Sequence, residues 1–307
     1  MGDGYINLPS LRAMLSYFEG NLSLITGRLD NGKYSGLFRE VGFRDIFEIG
    51  VDQNFDDRSK DIEFNEWKGI LQGFDLLIWL SPWIPLSKEA FCHSIGDVVS
   101  VGYFDCFTYQ VPYDLETNCF DLAFAFPRFF DQALKLETFS SPPRIPESIS
   151  DFFSVFKSDH FKDFRILVVH NDSKLDKVWP DPYFDRLIGQ ILDKYDDIAV
   201  IDVGVRKINV EGNLYRDRIL SSGLIMTFEY VIGLLSISDF YIGVDSSFLH
   251  LADLLKVPLI ALFGPTRVEE WGVRFAVHKC VVAGDKKMES IDPEDVFKEF
   301  SILIDII

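Results

Sequence analysis

At 307 residues the chain is long for one domain and comfortable for two, with apolar residues at 48% and aromatics at 15% available for buried cores. The net charge of −18 is spread over both halves: residues 1–140 carry 11 Lys and Arg against 21 Asp and Glu, and the remainder 19 against 27. A surface acidic throughout repels nucleic acid and anionic lipid, which argues against both as partners and fits a role in solubility.

No apolar window is long enough to cross a bilayer, and the start MGDGYINLPS lacks the basic head and apolar core of a signal peptide, so a cytoplasmic location without a transmembrane segment is expected. Cys92, Cys106, Cys119 and Cys280 form no C-x-x-C pair and lie near no His cluster; they read as free thiols rather than zinc ligands or disulfides.

In chain order, Gly2-Asp3-Gly4 reads as a turn feeding a helix over residues 8–18, with Pro9 in its first turn and Leu11, Met14, Leu15 and Phe18 on one stripe. Apolar runs at 22–26, 45–49, 75–80 and 98–102 alternate with helix-like stretches such as 34–41 and 64–71, the pattern of a parallel sheet covered on both faces. From about 103 to 118 the period is lost, which reads either as a functional loop or as a simple insertion. Three prolines in Pro142-Pro143-Arg144-Ile145-Pro146 exclude a helix and place a linker at 141–147, between domains at 1–140 and 148–307. Alternation then restarts: strands at 165–170, 198–203, 239–244, 259–263 and 278–282, and helices at 182–194, 227–237, 247–255 and from about 293. The fold class is α/β, with two Rossmann-like domains facing each other across a cleft.

Residues 239–266 hold the densest chemistry. They read as strand, Asp-Ser-Ser turn, helix and second strand, so free backbone N–H groups and the positive end of a helix dipole meet at the carboxyl edge of a parallel sheet, where phosphate binds. Ser246, Ser247 and Phe248 supply donors, and Phe263-Gly264-Pro265-Thr266 makes a second turn on the same edge. An ordinary N-cap at Asp245 and Ser246 is the plainer alternative. His250, one turn after Ser246, either approaches the anion or packs.

These motifs resemble the ADP-heptose:lipopolysaccharide heptosyltransferase family of inverting glycosyltransferases (glycosyltransferase family nine). The resemblance rests on Asp245-Ser246-Ser247-Phe248-Leu249-His250-Leu251-Ala252, on Phe263-Gly264-Pro265-Thr266, on Asp176-Lys177-Val178-Trp179-Pro180 and on Gly2-Asp3 followed by Leu8-Pro9-Ser10-Leu11-Arg12-Ala13. It implies a GT-B arrangement, an acceptor domain followed by a nucleotide-sugar domain, and metal-independent transfer with no cofactor beyond the nucleotide-diphosphate sugar itself. By the same resemblance Asp3 is the general base, Lys177 neutralises the leaving diphosphate, and Met226 lies against the adenine. Without the family, Asp3 is a turn residue, Lys177 a solvated lysine and Met226 core. The chain departs from the pattern in Ser247, which stands where the family has glycine, and in Val203-Gly204-Val205-Arg206, which lacks an acidic residue. The acceptor would be a glycan, a lipid-linked sugar or a small molecule, and the acidic first half favours a neutral or cationic one. A catalytically impaired relative acting as a nucleotide-binding or scaffold protein is the alternative, and a sugar-nucleotide epimerase of similar two-domain shape ranks below it.

Overall fold

The computed structural model describes residues 2–27, 38, 41–49, 69–82, 92–93, 95–204, 209–210, 213–221 and 227–307. The chain divides into two compact units, Ile6–Ser140 and Ser141–Ile307, the latter also including the first residues through Tyr5.

Helix α1 spans Gly2–Tyr17, and from Ile6 onward it belongs to the N-terminal unit. It starts six residues before the predicted helix, so Asp3 lies in a first helical turn rather than in a loop, and Pro9 falls in the interior, where it removes one backbone hydrogen bond. Burial accounts for the extension: Tyr5 and Leu8, one turn apart, are fully enclosed. Strands β1 (Leu24–Gly27) and β2 (Ile46–Ile49) pair in parallel, as do β3 (Leu76–Ile78), β4 (Val99–Gly102) and β5 (Tyr109–Gln110). The stretch 103–118, expected to be irregular, therefore contributes a strand. Its turn is pinned by Phe107, which lies over Gly102 so closely that any Cβ there would collide with the ring, and by hydrogen bonds between Ser100 and Thr108. Helices α2 (Cys119–Phe130) and α3 (Leu136–Phe139) follow; α2 was missed because buried Phe120, Leu122, Ala123, Phe124 and Phe126 give an apolar run with blurred period. The helix-like stretches at 34–41 and 64–71 lie largely outside the described residues.

The four cysteines are not all thiols, contrary to the expectation from their spacing. Cys92 and Cys106 are joined in a disulfide, with Cα atoms 5.7 Å apart, while Cys119 and Cys280 are in no disulfide. Nothing in a spacing of 14 residues marks a bridge; the pair meets because the turn after β4 folds back beside the small core of Leu71, Leu77, Ile95 and Phe107.

The C-terminal unit opens with α4 (Glu147–His160), which begins directly after the proline-rich segment, and continues with β6 (Arg165–His170), α5 (Asp181–Lys194), β7 (Ile198–Asp202), β8 (Ile219–Ser221), α6 (Phe228–Ser236), β9 (Phe240–Val244), α7 (Ser247–Leu254), β10 (Leu259–Phe263), α8 (Val268–Trp271), β11 (His278–Val282) and α9 (Pro293–Ile306). All six strands are parallel in the order β8-β7-β6-β9-β10-β11. Numbered from the first strand of the unit, that is the doubly wound order 3-2-1-4-5-6. Strands β7, β9 and β10 are buried at every residue, as a sheet covered on both faces requires. One face packs on α5, whose Phe184, Leu187, Ile188, Ile191 and Leu192 form a helical stripe, and on α9 through Val296, Phe300 and Leu303. Elsewhere α4 crosses α6 at Gly233, where a Cβ would strike Phe153 and Ile149.

Candidate functional site

In this strand order the chain steps outward in one direction from β6 and in the other from β9, so a crevice opens between the carboxyl ends of those two strands. His170 ends β6 and is in register with Gly243 of β9. The segments leaving the two strands, 171–180 and 245–247, meet over this point.

The first segment is held at its far end. Trp179 is fully buried and donates its indole N–H to the Ile291 carbonyl at 3.1 Å. The Asn171 amide bridges the loop, accepting from the Trp179 backbone N–H at 2.9 Å and donating to its carbonyl at 2.6 Å. Between these anchors a single 3-10 turn, Leu175–Lys177, projects Lys177 toward the second segment.

Three contacts lace the segments together. Lys177 Nζ meets Asp245 Oδ2 at 2.6 Å, Ser173 Oγ donates to the Asp245 carbonyl at 3.0 Å, and Ser246 Oγ lies 3.3 Å from His170 Nδ1. Asp245 is 5% exposed in its side chain and Lys177 23%, so the pair is largely withdrawn from water and removal of the lysine would leave a buried carboxylate uncompensated. His250, buried on α7, places Nε2 3.8 Å from the other Asp245 oxygen. Gly243 keeps room for the fully buried Tyr241, whose hydroxyl a Cβ there would strike; burial pushes that phenol well above its usual range, the Ser246 hydroxyl beside it holds it down in part, and Asp245 adds to the rise.

Ser246 is the N-cap residue of α7 in extended backbone, yet its side chain makes no capping bond. Ser246 therefore does not close the helix end with its own hydroxyl. Ser247 is the first helical residue and has no left-handed φ, so a side chain at this position carries no backbone strain. On α7 the fully buried Asp253 accepts from the N–H groups of Arg274, Phe275 and Ala276 at 2.7–2.8 Å. Burial pushes this carboxyl up while the three N–H bonds hold it down, and they fix the helix to the segment entering β11.

The second turn follows β10, the neighbour of β9, on the same edge. Gly264 lies against Met288, whose side chain would have to shift to admit a Cβ that would sit 2.5 Å from its Sδ. Thr266 Oγ1 is buried without a hydrogen-bond partner among the described residues. At the end of β7, Asp202 is buried, and burial, aided by Asp185, pushes its carboxyl up to about 7.

Of the predicted residues, the fold brings together Lys177, Asp245, Ser246, Ser247 and His250, and places Gly264 and Thr266 after the adjacent strand. Asp3 lies at the start of α1, and Met226 is outside the described residues. Sequence reasoning missed His170, Asn171 and Ser173; the one signal for His170 was a polar residue closing an apolar strand at the edge where ligands bind. Among the described residues no three His, Cys, Asp or Glu side chains gather as a metal site.

No curated protein matches the chain in sequence. Among solved structures it is similar to a glycosyl transferase family 9 protein from Veillonella parvula DSM 2008, with a TM-score of 0.74 at 15% identity over 100% of this chain and 94% of that one. E. coli ADP-heptose lps heptosyltransferase II follows at 0.69 and 12%, over 98% and 94%, and E. coli heptosyltransferase WaaC with ADP at 0.68 and 15%, over 99% and 97%. The sequence model of Glycosyltransferase family 9 (heptosyltransferase) matches residues 126–300, which is most of the chain and contains the laced turns. With a GT-B α/β fold and that match, the chain is a glycosyltransferase and belongs to glycosyltransferase family 9.

Proposed function

We propose that the enzyme moves a sugar, a heptose or a relative of it, from an ADP-linked donor to an acceptor hydroxyl, in one inverting displacement and without a metal. The observation that supports this reading is the meeting of Lys177 with Asp245, in the turn that leads into α7, at the crevice between β6 and β9. As the acceptor oxygen bonds to the anomeric carbon, the bond to the diphosphate breaks and its electrons pass to a phosphate oxygen. Lys177 and the N–H groups at the start of α7 offset that charge. Asp3 takes the proton from the acceptor hydroxyl. The adenine contact expected of Met226 belongs to the same proposal, as do Gly264 and Thr266 beside the phosphates. In this reading residues 148–307 hold the donor and residues 1–140 an acceptor that is neutral or cationic.

The test is release of nucleoside diphosphate from a panel of sugar nucleotides supplied with phosphorylated and phosphate-free acceptors. Asp3→Ala should abolish transfer while donor binding persists, and turnover close to wild type would remove Asp3 from the mechanism. Lys177→Ala should weaken nucleoside diphosphate binding by about 10- to 100-fold, the equivalent of about 1.4–2.7 kcal/mol of charge-assisted bonding.

One observation favours a second reading, a nucleotide-binding or scaffold protein with little turnover: Lys177 is already matched by Asp245, which leaves less charge for a leaving group. In that case nucleotides would bind and raise stability, by about 2.7 kcal/mol at a hundred times the dissociation constant, with no sugar transferred to any acceptor. The cytoplasm remains the proposed location. Disulfides are rare there, so alkylation of Cys92 and Cys106 in freshly lysed cells checks it: free thiols agree, and a persistent bridge places the protein in oxidising surroundings.

A further inference from the structure

Because Lys177 is paired with Asp245, the laced turns offer an arriving diphosphate little net positive charge. We propose that His170 supplies it: the imidazole takes up a proton when the nucleoside diphosphate binds, and in doing so turns the Ser246 hydroxyl toward the phosphate. This rests on the donor site proposed above and assigns the site's proton linkage to a residue outside its motifs.

The charge on the ring sets the direction in which the Ser246 hydroxyl donates. His170 is 95% buried at the end of β6, with its ring centroid 4.2 Å from that of Phe248 and Nδ1 3.3 Å from Ser246 Oγ. When Nδ1 carries no proton it accepts from the Ser246 hydroxyl, and the only proton of that hydroxyl is then spent on the ring. When Nδ1 is protonated it must donate to Ser246 Oγ. The hydroxyl proton is then released to donate to an anion at the start of α7, and a unit positive charge is left behind it. Ser246 is placed for this change because its side chain makes no capping bond to α7. The protonated state thus provides both a donor and a charge, each of which favours a phosphate oxygen.

Among the described residues, the ionisable groups on the surrounding elements include Lys177, Asp172, Lys174 and Asp176 on the segment after β6, Tyr241 on β9, Asp245 in the turn, His250 and Asp253 on α7 and Asp202 at the end of β7. Asp253 is committed to three backbone N–H groups, and Lys177 and Asp245 to one another. His250 is the rival proton acceptor, since it lies beside Asp245.

The test is calorimetric titration of the full chain with adenosine diphosphate at pH 6 and pH 8, in pairs of buffers that differ in ionisation enthalpy. Wild type should bind about tenfold more tightly at the lower pH, with net proton uptake, because one linked proton changes affinity by up to tenfold per pH unit. His170→Gln should fold and bind but lose the uptake, and Ser246→Ala should weaken binding at pH 6 more than at pH 8. His160→Gln on α4 should leave the uptake unchanged. The ligand's own phosphate titration is common to all the proteins and cancels in the comparison. Uptake that survives in His170→Gln, that vanishes in His250→Gln instead, or that is absent from a wild type that binds would overturn the proposal. A wild type that binds no nucleoside diphosphate at either pH would overturn the donor site itself, and the proton linkage with it.

Discussion

The two units build parallel sheets from different material. In the C-terminal unit β7, β9 and β10 are five-residue strands with no exposed position, whereas in the N-terminal unit β4 and β5 carry exposed side chains and the three-residue β3 is half-buried at both ends. A strand buried on both faces is delimited by its own sequence, because sliding it along would carry the polar residues that flank the apolar run into the core. Short, half-exposed strands depend on what is tied to them, and here the ties are Phe107 over Gly102, the Ser100 and Thr108 hydrogen bonds, and the disulfide.

Three substitutions sharpen the contrast. Trp179→Ala removes the anchor of the Lys177 loop from the C-terminal core and should cost about 3–5 kcal/mol. Urea unfolding followed by probes in each unit should move the C-terminal transition, and a shift confined to the N-terminal one would refute the assignment. Opening the disulfide, by reductant or by Cys92→Ser with Cys106→Ser, should lower stability by about 3 kcal/mol for a loop of roughly 15 residues. That loss should fall on the N-terminal unit, and equal transitions in oxidised and reduced protein would show that the turn after β4 holds without it.

The smallest effect concerns pH. Burial raises the Asp202 carboxyl to about 7, so the folded chain keeps a proton that the unfolded chain releases above about pH 4. Folding stability from this group therefore falls as pH rises from about 4 to 7. Asp202→Asn should be more stable than wild type at pH 8 by on the order of 1–3 kcal/mol, with the gain gone below pH 4. A flat difference across that range would mean the carboxyl titrates normally.

The same contrast governs what could be read from residues alone. The strands at 165–170, 259–263 and 278–282 were legible to the residue, and Pro182 and Pro293 marked helix starts, because apolar runs and prolines act locally. The start of α1 was not, since Pro9 argued for a boundary that the burial of Tyr5 and Leu8 overrides. The disulfide was not, because it depends on how a turn folds back rather than on spacing. In the site, the turn at 245–247 and Lys177 were legible through their motifs. What could not be foreseen was that they bind each other, or that Ser246 leaves its helix uncapped and faces His170. Those are consequences of two strands, 70 residues apart in the chain, lying side by side.

Amide hydrogen exchange with and without adenosine diphosphate tests most directly whether those two turns form one anion site. The account predicts that residues 171–179 and 245–250 gain protection together, over the same range of ligand concentration, and that Lys177→Ala loses the protection in both. Protection in one turn alone, or in neither while the nucleotide binds elsewhere, would contradict it.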